Sequence, residues 1–417
     1  MKKILTICLL AFAGMPVLVS AQSTASVKSG AWRAVIKNAG GELPFGLDVQ
    51  PTADPAKGVH TYTVYAVNGA ERLPMDAASM QGDTLRIPMA LFDSEIVAHV
   101  SGNTMKGYWK RRRVAQQYQT LPFEAQYGTA ARFKPTTTDQ AKASFGGTWA
   151  VTFSEPDGSG AYPAVGIFKQ TGNQVTGTFL TETGDYRYLA GNVYGDSLLL
   201  SCFDGSHLFT FKAKQNADRT LKGDFWAGVA GHEIWTAKPD PKAALPDPAK
   251  LTYIKEGQSF AFSFPQPDGK QLSLNDERFN GKVTVVQILG TWCPNCMDET
   301  RFLAPWYKRN QKRGVEIVGL AFEKTADLAE SGPKIQRMKE RFGVEYPVLL
   351  AGTSDKAQAS KALPALNRVV AFPTTIFIDK KGKVRHIHTG FSGPGTGKYY
   401  DQYIGEYNRL IDKLLAE

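Results

Sequence analysis

Trp292-Cys293-Pro294-Asn295-Cys296 is the stretch that decides the fold of the C-terminal part of this chain. It stands between an apolar run, residues 283–289, and an amphipathic stretch from Met297 to Arg309, which predicts a buried strand followed by a helix. Cys293 then lies at the helix entrance, where Pro294 is tolerated because the first N–H groups have no intrahelical partner. Those N–H groups and the positive end of the helix dipole favour a thiolate at Cys293. The motif indicates a dithiol suited to thiol–disulfide exchange.

The number and spacing of the cysteines narrow the role of this pair. The chain of 417 residues is 42% hydrophobic and 21% charged, which is typical of a globular protein with two to four domains. Four cysteines, Cys8, Cys202, Cys293 and Cys296, are too few for a disulfide-stapled scaffold. Cys202 lies in a predicted strand, residues 197–203, where we expect a buried and unreactive thiol. The close pair is therefore interpreted as a working site.

Residues 1–21 have the pattern of a secretory signal sequence. Two lysines precede an apolar run from Ile4 to Val19, and the small residues in Val19-Ser20-Ala21 fit cleavage after Ala21. Cleavage lowers the net charge from +10 to about +8 and removes Cys8. No later segment has the ~18 consecutive apolar residues needed to span a membrane. We predict a periplasmic protein, and an uncleaved N-terminal anchor is the alternative.

The net positive charge raises the question of nucleic-acid binding. Its main cluster is Lys110-Arg111-Arg112-Arg113, which follows strand-like sequence. Charges of this kind commonly protect a solvated strand edge from unwanted pairing. Because nothing else in the sequence builds a nucleic-acid footprint, we predict a solvated edge and no nucleic-acid partner.

Two linker-like stretches divide the chain into three parts. Residues 134–143 are polar and lack periodicity, and residues 239–250 hold four prolines among charged and small residues. The predicted division is a signal sequence (1–21), a first β domain (22–135), a second β domain (144–238), a proline-rich linker (239–250) and a C-terminal domain (251–417).

The first two parts resemble each other at an offset of about 115 residues, which indicates an internal duplication. Both are rich in short alternating runs separated by Gly-Asn, Gly-Asp and Asp-Gly turns. We therefore predict two antiparallel all-β domains, each a sandwich or a small barrel. The matching motifs are Gly30-Ala31-Trp32 with Gly147-Thr148-Trp149, Gly82-Asp83-Thr84-Leu85 with Gly195-Asp196-Ser197-Leu198, and Lys106-Gly107-Tyr108-Trp109 with Lys222-Gly223-Asp224-Phe225-Trp226.

The third part mixes helical and strand periodicity. We predict buried strands over residues 283–289 and 315–322 and helices over residues 334–342 and 400–415. A hairpin is expected near Lys381-Gly382. A β–α–β start followed by a hairpin and a helix is the order of a thioredoxin fold.

The last ~165 residues resemble the TlpA-like (ResA-like) thiol–disulfide oxidoreductases of the thioredoxin superfamily. The resemblance rests on motifs in the expected order: Gly281-Lys282-Val283, the run Gly290 to Cys296, and Phe372-Pro373-Thr374-Thr375-Ile376-Phe377-Ile378-Asp379. It implies an α/β thioredoxin fold for this part. The β repeats are not covered by it.

The resemblance also implies roles for individual residues. Cys293 would attack or be attacked through its thiolate, and Cys296 would resolve the mixed disulfide, so that the two form the redox disulfide. The proline matching Pro373 is cis in this family and lies against the dithiol. Phe372 can then offer strand-like hydrogen bonds to a substrate segment. We expect Trp292, Phe372 and Pro373 to form the substrate-binding surface.

Glu299 is the candidate proton carrier for the second thiol. It stands three residues after Cys296, on the same face of the helix, and ResA-like members have a glutamate at this spacing. The alternative is an acidic residue favoured only by the helix dipole. Gln287 stands where thioredoxins proper carry a buried aspartate, which strengthens Glu299 as the candidate. Glu323 is a weaker second candidate, and we expect it to be a solvated loop residue.

Three alternatives compete with thiol–disulfide exchange. A thioredoxin-fold peroxidase needs threonine or serine three residues before its cysteine, where this chain has Gly290. A zinc site needs more ligands than His386 and His388, so we expect no metal and no cofactor. A cell-envelope binding protein, whose β domains capture a ligand or partner, needs neither Cys293 nor Cys296.

We therefore predict an exported enzyme that exchanges disulfides with protein substrates. Asn295 inside the pair does not indicate a direction of electron flow, and we expect a reductase. Its predicted partners are protein thiols or disulfides and a membrane-bound or periplasmic electron donor.

Overall fold

The computed structural model describes residues 26–52, 61–113, 117–129, 131–134 and 140–417. The predicted signal sequence and residues 135–139 of the first predicted linker lie outside these ranges. Across the described ranges, every helix is too short or too polar to cross a membrane.

The first domain is a β barrel. In the described residues its sheet has the order β2-β1-β9-β8-β7-β6-β5-β3-β4, and β2 also pairs with β3, which closes the barrel. All of these pairings are antiparallel, and β4 pairs with β3 on the edge that β3 also uses to pair with β5. The strands are β1 (Gly30–Asn38), β2 (Gly41–Pro51), β3 (Thr61–Asn68), β4 (Glu71–Pro74), β5 (Ala78–Gln81), β6 (Thr84–Met89), β7 (Ser94–Ser101), β8 (Thr104–Arg112) and β9 (Tyr118–Tyr127).

The second domain repeats this barrel strand for strand. Its order is β11-β10-β18-β17-β16-β15-β14-β12-β13, closed by a pairing of β11 with β12. The internal duplication is thereby confirmed, and the architecture is a barrel rather than a sandwich. The strands are β10 (Gly147–Ser154), β11 (Tyr162–Thr171), β12 (Gln174–Thr181), β13 (Gly184–Asp185), β14 (Leu189–Tyr194), β15 (Ser197–Phe203), β16 (Leu208–Gln215), β17 (Leu221–Ala227) and β18 (Gly231–Pro239).

The Gly-x-Trp motifs mark the same place in both barrels. Trp32 and Trp149 are each 1% exposed in the barrel core. The indole N–H of Trp32 donates to the carbonyl of Lys28 at 3.0 Å, and that of Trp149 donates to the carbonyl of Phe145 at 2.8 Å. Each tryptophan therefore ties the segment four residues before it across one end of its barrel.

The structure aligns the third pair of repeat motifs residue by residue. Gly107 and Gly223 are equivalent, because a Cβ at either would meet a backbone carbonyl of the neighbouring strand at 2.0–2.2 Å. Trp109 and Phe225, each two residues further on, both point into a core. Trp109 therefore matches Phe225, and Trp226 lies outside the repeat motif.

The basic run at the end of β8 is not a solvated edge as predicted. β8 pairs with a strand on each side, because a closed barrel has no edge there. Lys110 forms an ion pair with Glu95 at 3.0 Å. The Arg111 guanidinium turns toward the second barrel and donates to the carbonyl of Ser206 at 3.3 Å.

The third domain has a five-stranded sheet in the order β23-β22-β21-β24-β25. β21, β22 and β23 are parallel, whereas β24 and β25 run antiparallel to their neighbours. This is the thioredoxin fold that the sequence predicts. The elements are β19 (Ser263–Pro265), β20 (Gln271–Ser273), β21 (Val283–Leu289), α1 (Pro294–Asn310), β22 (Val315–Glu323), α2 (Leu328–Phe342), β23 (Val348–Thr353), α3 (Lys356–Ala362), β24 (Thr374–Ile378), β25 (Val384–Thr389) and α4 (Lys398–Ala416).

The three domains share buried contacts. Leu91 of the first barrel belongs to the core cluster of the thioredoxin domain. Phe203 of the second barrel packs on Phe45 of the first, with ring centroids 4.4 Å apart. Between the barrels, the Arg132 guanidinium donates to the Asn68 side chain at 2.8 Å. The barrels and the thioredoxin domain are thus packed against one another through side chains of each.

Candidate active site

The dithiol lies where β21 passes into α1. All seven residues of β21 are buried, and α1 begins at Pro294 with Cys293 as its N-cap. The Cys293 sulfur accepts a hydrogen bond from the N–H of Cys296 at 3.4 Å. Cys293 is 8% exposed and Cys296 is fully buried. The first cysteine is therefore the one that a substrate can reach, and the second lies behind it.

The turn before Cys293 is fixed by a buried carboxylate. Glu323 accepts hydrogen bonds from the backbone N–H and the hydroxyl of Thr291, each at 2.8 Å. The indole N–H of Trp292 donates to the carbonyl of Phe322 at 2.9 Å. Burial raises the pKa of Glu323, and the hydrogen bonds from Thr291 oppose that shift. The expectation that Glu323 is a solvated loop residue is wrong, because these bonds draw it under the active-site turn.

The loop before β24 brings Phe372 and Pro373 to the dithiol. The Phe372–Pro373 peptide bond is cis, in agreement with the resemblance. The Cys293 thiol lies 3.5 Å from the carbonyl oxygen of Phe372. The rings of Trp292 and Phe372 meet edge to face with centroids 5.7 Å apart. The residues predicted to bind substrate therefore surround Cys293.

Glu299 is fully buried beneath the dithiol and is held by three donors. Its Oε1 accepts hydrogen bonds from the hydroxyls of Thr375 at 2.6 Å and Tyr403 at 2.9 Å. Its Oε2 accepts a bond from Nε2 of Gln287 at 2.9 Å. Burial raises the pKa of Glu299, and the three donors oppose the shift. A carboxyl with a raised pKa in this place is suited to proton exchange with a neighbouring thiol.

The environment of Cys296 makes its proton difficult to remove. Burial and the hydrogen bond to Cys293 raise the pKa of Cys296 well above its usual range, and the carboxylate of Glu299 adds to this. Nucleophilic attack by Cys296 requires the thiolate. A nucleophilic role for Cys296 would therefore require a proton acceptor close by, and Glu299 lies one helical turn further along α1.

The second barrel contacts the active-site helix directly. The Asn295 side chain, between the two cysteines, donates to the carbonyl of Asp185 at 3.0 Å. The Asp185 carboxylate accepts from the N–H of Gly393 at 2.6 Å, beside the thioredoxin sheet. Burial raises the pKa of Asp185 to about 6, although the N–H of Gly393 opposes this. The Ser206 hydroxyl reaches the carbonyl of Trp292 at 3.4 Å.

Arg187 joins all three domains. Its guanidinium forms ion pairs with Asp298 of α1, with Glu71 of the first barrel, and with Asp204 of its own barrel at 3.0 Å. Arg187 is 2% exposed, so these charges are removed from water together. Burial acts to lower the pKa of Arg187, and the carboxylates of Asp298, Glu71 and Asp204 raise it beyond its usual range. The guanidinium is therefore a permanently charged centre between the domains.

A cleft of about 320 Å³ opens in front of Cys293, between the second barrel and the thioredoxin domain. The barrel side is formed by the starts of β11 and β16, by the end of β12 and by β13. The thioredoxin side is formed by the dithiol turn and the loop that carries Phe372. Its lining includes Tyr162, Thr181, Thr183, Asp185, Tyr186, His207, Phe209, Trp292, Cys293, Asn295, Lys356 and Phe372.

The sheet order, the Cys-x-x-Cys helix and the loop with Pro373 define a thioredoxin-fold protein. A Redoxin family profile matches residues 255–404. The thiol-disulfide oxidoreductase ResA of Geobacillus thermodenitrificans is 32% identical over 123 residues, which cover 30% of this chain and 62% of that protein. ResA of Bacillus subtilis is 30% identical over 138 residues, which cover 33% of this chain and 69% of that protein. The chain belongs to the ResA family of thiol-disulfide oxidoreductases through its C-terminal domain.

The chain spans 62% of the length of the Geobacillus relative and 69% of the Bacillus relative. Among solved structures, the C-terminal part is similar to a thiol:disulfide interchange protein of the thioredoxin family from Chlorobium tepidum. That similarity has 23% identity and a TM-score of 0.29, over 42% of this chain and 99% of the other. A thiol-disulfide oxidoreductase from Bacteroides fragilis is 20% identical, with a TM-score of 0.26, over 34% of this chain and 96% of the other.

Several residues around the dithiol were not found from the sequence. Thr375 lies within the Phe-Pro-Thr-Thr motif, at the start of a strand whose five residues are all buried, and that motif is the signal that could have found it. Tyr403 has no such signal, because it reaches Glu299 from α4, more than 100 residues away. The contacts of Asp185 and Arg187 depend on how the second barrel docks, which the sequence does not indicate.

Proposed function

We propose that this protein is an exported thiol–disulfide oxidoreductase that reduces disulfides in protein substrates through Cys293 and Cys296. The observation that carries the proposal is the asymmetry of the pair: Cys293 caps a helix at the cleft, whereas Cys296 is buried above Glu299. Export is supported by the signal-like pattern of residues 1–21.

The reaction proceeds in two exchange steps. The Cys293 thiolate attacks one sulfur of a substrate disulfide, whose S–S bond breaks as the mixed disulfide forms. The displaced substrate sulfur leaves as a thiolate and takes up a proton from water. Cys296 then gives its proton to Glu299 and attacks the Cys293 sulfur, and the bond between Cys293 and the substrate breaks. The second substrate sulfur leaves as a thiolate and takes up the proton held by Glu299. Two electrons have passed from the Cys293–Cys296 pair to the substrate, and a membrane-bound or periplasmic dithiol must return them.

Two cysteine variants test the proposal. Cys293→Ser should abolish disulfide reduction, and Cys296→Ser should accumulate a mixed disulfide with substrate because nothing resolves it. Both are measured with a purified disulfide substrate and non-reducing electrophoresis. Cys202→Ser is the matched control, since Cys202 is buried in the second barrel away from the dithiol. Turnover that survives in Cys293→Ser contradicts the proposed enzyme.

The role of Glu299 is tested through the residues that hold it. Glu299→Gln should slow the second step roughly ten- to a hundred-fold, because the buried thiol loses its proton acceptor. Tyr403→Phe should slow the same step less, since it removes one of the three donors to Glu299. Tyr407→Phe is the control, because the buried Tyr407 hydroxyl has no hydrogen-bond partner within the described residues. Equal rates in all three variants argue against proton transfer by Glu299.

A further inference from the structure

We propose that the second barrel supplies a substrate subsite, an aromatic wall that binds an extended, cysteine-bearing polypeptide segment with an aromatic side chain next to its cysteine. The wall consists of Tyr162, Tyr186, His207 and Phe209. This inference rests on the proposed exchange activity at Cys293 and adds the class of substrate that the cleft selects.

The size of the cleft limits what can reach Cys293. At about 320 Å³ it lies at the small end of the range for ligand pockets, roughly 300–1,000 Å³. A folded domain presenting a disulfide on a broad surface meets the barrel wall before it meets the sulfur. A single extended chain, which brings only a few side chains, fits between the barrel and Phe372.

Aromatic rings face the cleft from both sides. On the barrel side, His207 stacks on Phe209 with centroids 4.4 Å apart, and Tyr186 meets Phe209 edge to face at 5.1 Å. On the thioredoxin side, Trp292 and Phe372 stand beside the sulfur. A ring inserted between these walls gains edge and face contacts in addition to the burial of its apolar surface.

The barrel wall is held in place before a substrate arrives. The Tyr162 and Tyr186 hydroxyls lie 2.8 Å apart, and the Tyr162 hydroxyl donates to the carboxylate of Glu233 at 2.7 Å. His207 is held by the buried carboxylate of Asp204 at 2.9 Å. Because the polar ends of these side chains are already paired, their rings need little reordering on binding.

The equivalent position in the first barrel lacks this aromatic ring. Phe153 pairs with Tyr162 in the same register as Ile36 pairs with Leu43, so Leu43 is the counterpart of Tyr162. The first barrel has the same strand order, and none of its described residues lines the dithiol cleft. The aromatic wall is therefore specific to the barrel that faces Cys293.

A small anionic thiol compound is the competing occupant. Lys356 lies at the cleft and is exposed, and it could attract such a compound. An ion pair between exposed Lys356 and such a compound would contribute little energy, about 0–1 kcal/mol. An aromatic side chain, in contrast, would contact a wall of four rings from the second barrel. The aromatic peptide is thus favoured, and the small anion becomes an outcome of the test.

The test compares two short peptides, one with Phe and one with Ala beside a single cysteine, each as a mixed disulfide with the same chromogenic thiol. The reduced full-length protein should release the thiol from the Phe peptide with a second-order rate constant about three- to ten-fold higher, as expected for one aromatic contact. Tyr162→Leu should reduce this ratio to below about two-fold. Tyr127→Leu, in the first barrel and outside the cleft, should keep the full ratio.

Phe209→Leu is a second variant of the wall, which keeps the test valid if Tyr162→Leu does not fold. Near-UV circular dichroism checks that each variant retains the folded aromatic core. The proposal is overturned if wild-type protein reacts equally with both peptides, or if the ratio survives in both Tyr162→Leu and Phe209→Leu. Faster reaction with a folded protein disulfide or with a small anionic disulfide overturns it as well. Failure of the proposed function is recognised separately, as full activity in Cys293→Ser.

Discussion

The two barrels share one strand order and have different relations to the dithiol. The first barrel packs against α2, where Asp93 pairs with Lys334 at 2.7 Å and with Lys324 at 3.2 Å. The second barrel packs against α1 and the loop after β25, through the buried side chains of Asp185 and Arg187. Duplication of a barrel therefore gave two copies of a scaffold, of which one lies against the working cysteine.

The interiors of the two barrels also differ. Among the described residues, the first has a core mainly of aliphatic residues and methionine, while the second is filled with rings. Phe211 and Phe225 stack with centroids 4.2 Å apart, and Phe179 meets the rings of Phe153 and Trp235 edge to face. Tyr162 packs on this aromatic core and also lines the cleft. The aromatic packing of the second barrel and its aromatic wall in the cleft are therefore parts of one cluster.

The difference between the interfaces of the two barrels should have its largest effect on stability at Arg187. Arg187→Met should destabilise the protein by about 3–5 kcal/mol, because it leaves the buried carboxylates of Glu71, Asp204 and Asp298 without their cation. Lys334→Met, at the interface of the first barrel, should lose about 1 kcal/mol or less, since Asp93 keeps Lys324.

Urea unfolding of the two variants, followed by tryptophan fluorescence, measures the difference in the free energy of unfolding. Equal losses mean that the two interfaces contribute alike and contradict the division between a scaffolding and a working barrel.

The second test uses pH. Burial raises the pKa of Asp185 to about 6, so its neutral form is favoured in the folded protein, whereas an unfolded aspartate titrates near ~3.9. The stability contributed by this group is fully present below about pH 4 and is lost as the pH rises through 6. Relative to Asp185→Asn, the wild type should therefore gain roughly 2–3 kcal/mol between pH 7 and pH 4.

The stability contributed by Asp93 should depend on pH in the opposite direction. Although burial acts to raise it, the pKa of Asp93 is lowered by Lys334 and Lys324. Its contribution is present above the unfolded pKa and is lost as the pH falls below about 4. Unfolding curves of wild type, Asp185→Asn and Asp93→Asn at several pH values measure both effects. The same sign for both variants contradicts the pKa directions.

Much of the thioredoxin domain could be predicted from the sequence because its signals are local. The buried strand at residues 283–289 and the helix entrance at Cys293 follow from periodicity and proline position, and the structure has both. The short helix α3 was missed, since seven residues give little periodicity. Glu323 was misplaced because exposure of a carboxylate after a strand is the usual outcome, and only the fold shows Thr291 above it.

The barrels were predictable as repeats and not as parts of the site. The Gly-x-Trp motifs and the spacing of the turns can be identified in the sequence, and the two tryptophans have equivalent places in the structure. The pairing of Asn295 with Asp185 joins residues 110 apart, and it depends on the docking of two separately folded surfaces. No local pattern contains that information.

Gly184 provides the third test, because the second barrel lies against the Asn295 side chain of α1 at this residue. A Cβ there would lie 2.5 Å from the side-chain nitrogen of Asn295, and its φ of +138° disfavours a side chain. Gly184→Ala should weaken docking by about 1–2 kcal/mol and expose Cys293, so that iodoacetamide alkylates it several-fold faster. Gly147→Ala has a similar φ of +115° with open space around the added carbon, and should leave the alkylation rate unchanged. Equal alkylation rates in both variants would mean that the contact at Gly184 does not keep the cleft narrow.

The smallest expected difference lies where the barrels have not diverged. Trp32→Phe and Trp149→Phe each remove one indole hydrogen bond to the residue four positions earlier and some buried volume. Each should destabilise the protein by about 1–2 kcal/mol, and the two losses should agree within the usual error. Hydrogen exchange of the strand that carries each tryptophan, β1 or β10, measures the loss in each barrel separately. A much larger loss of stability in Trp149→Phe, together with slower disulfide exchange, would mean that the far end of the second barrel is coupled to the cleft. The specialisation of that barrel would then extend through its whole core and would not be confined to the wall that faces Cys293.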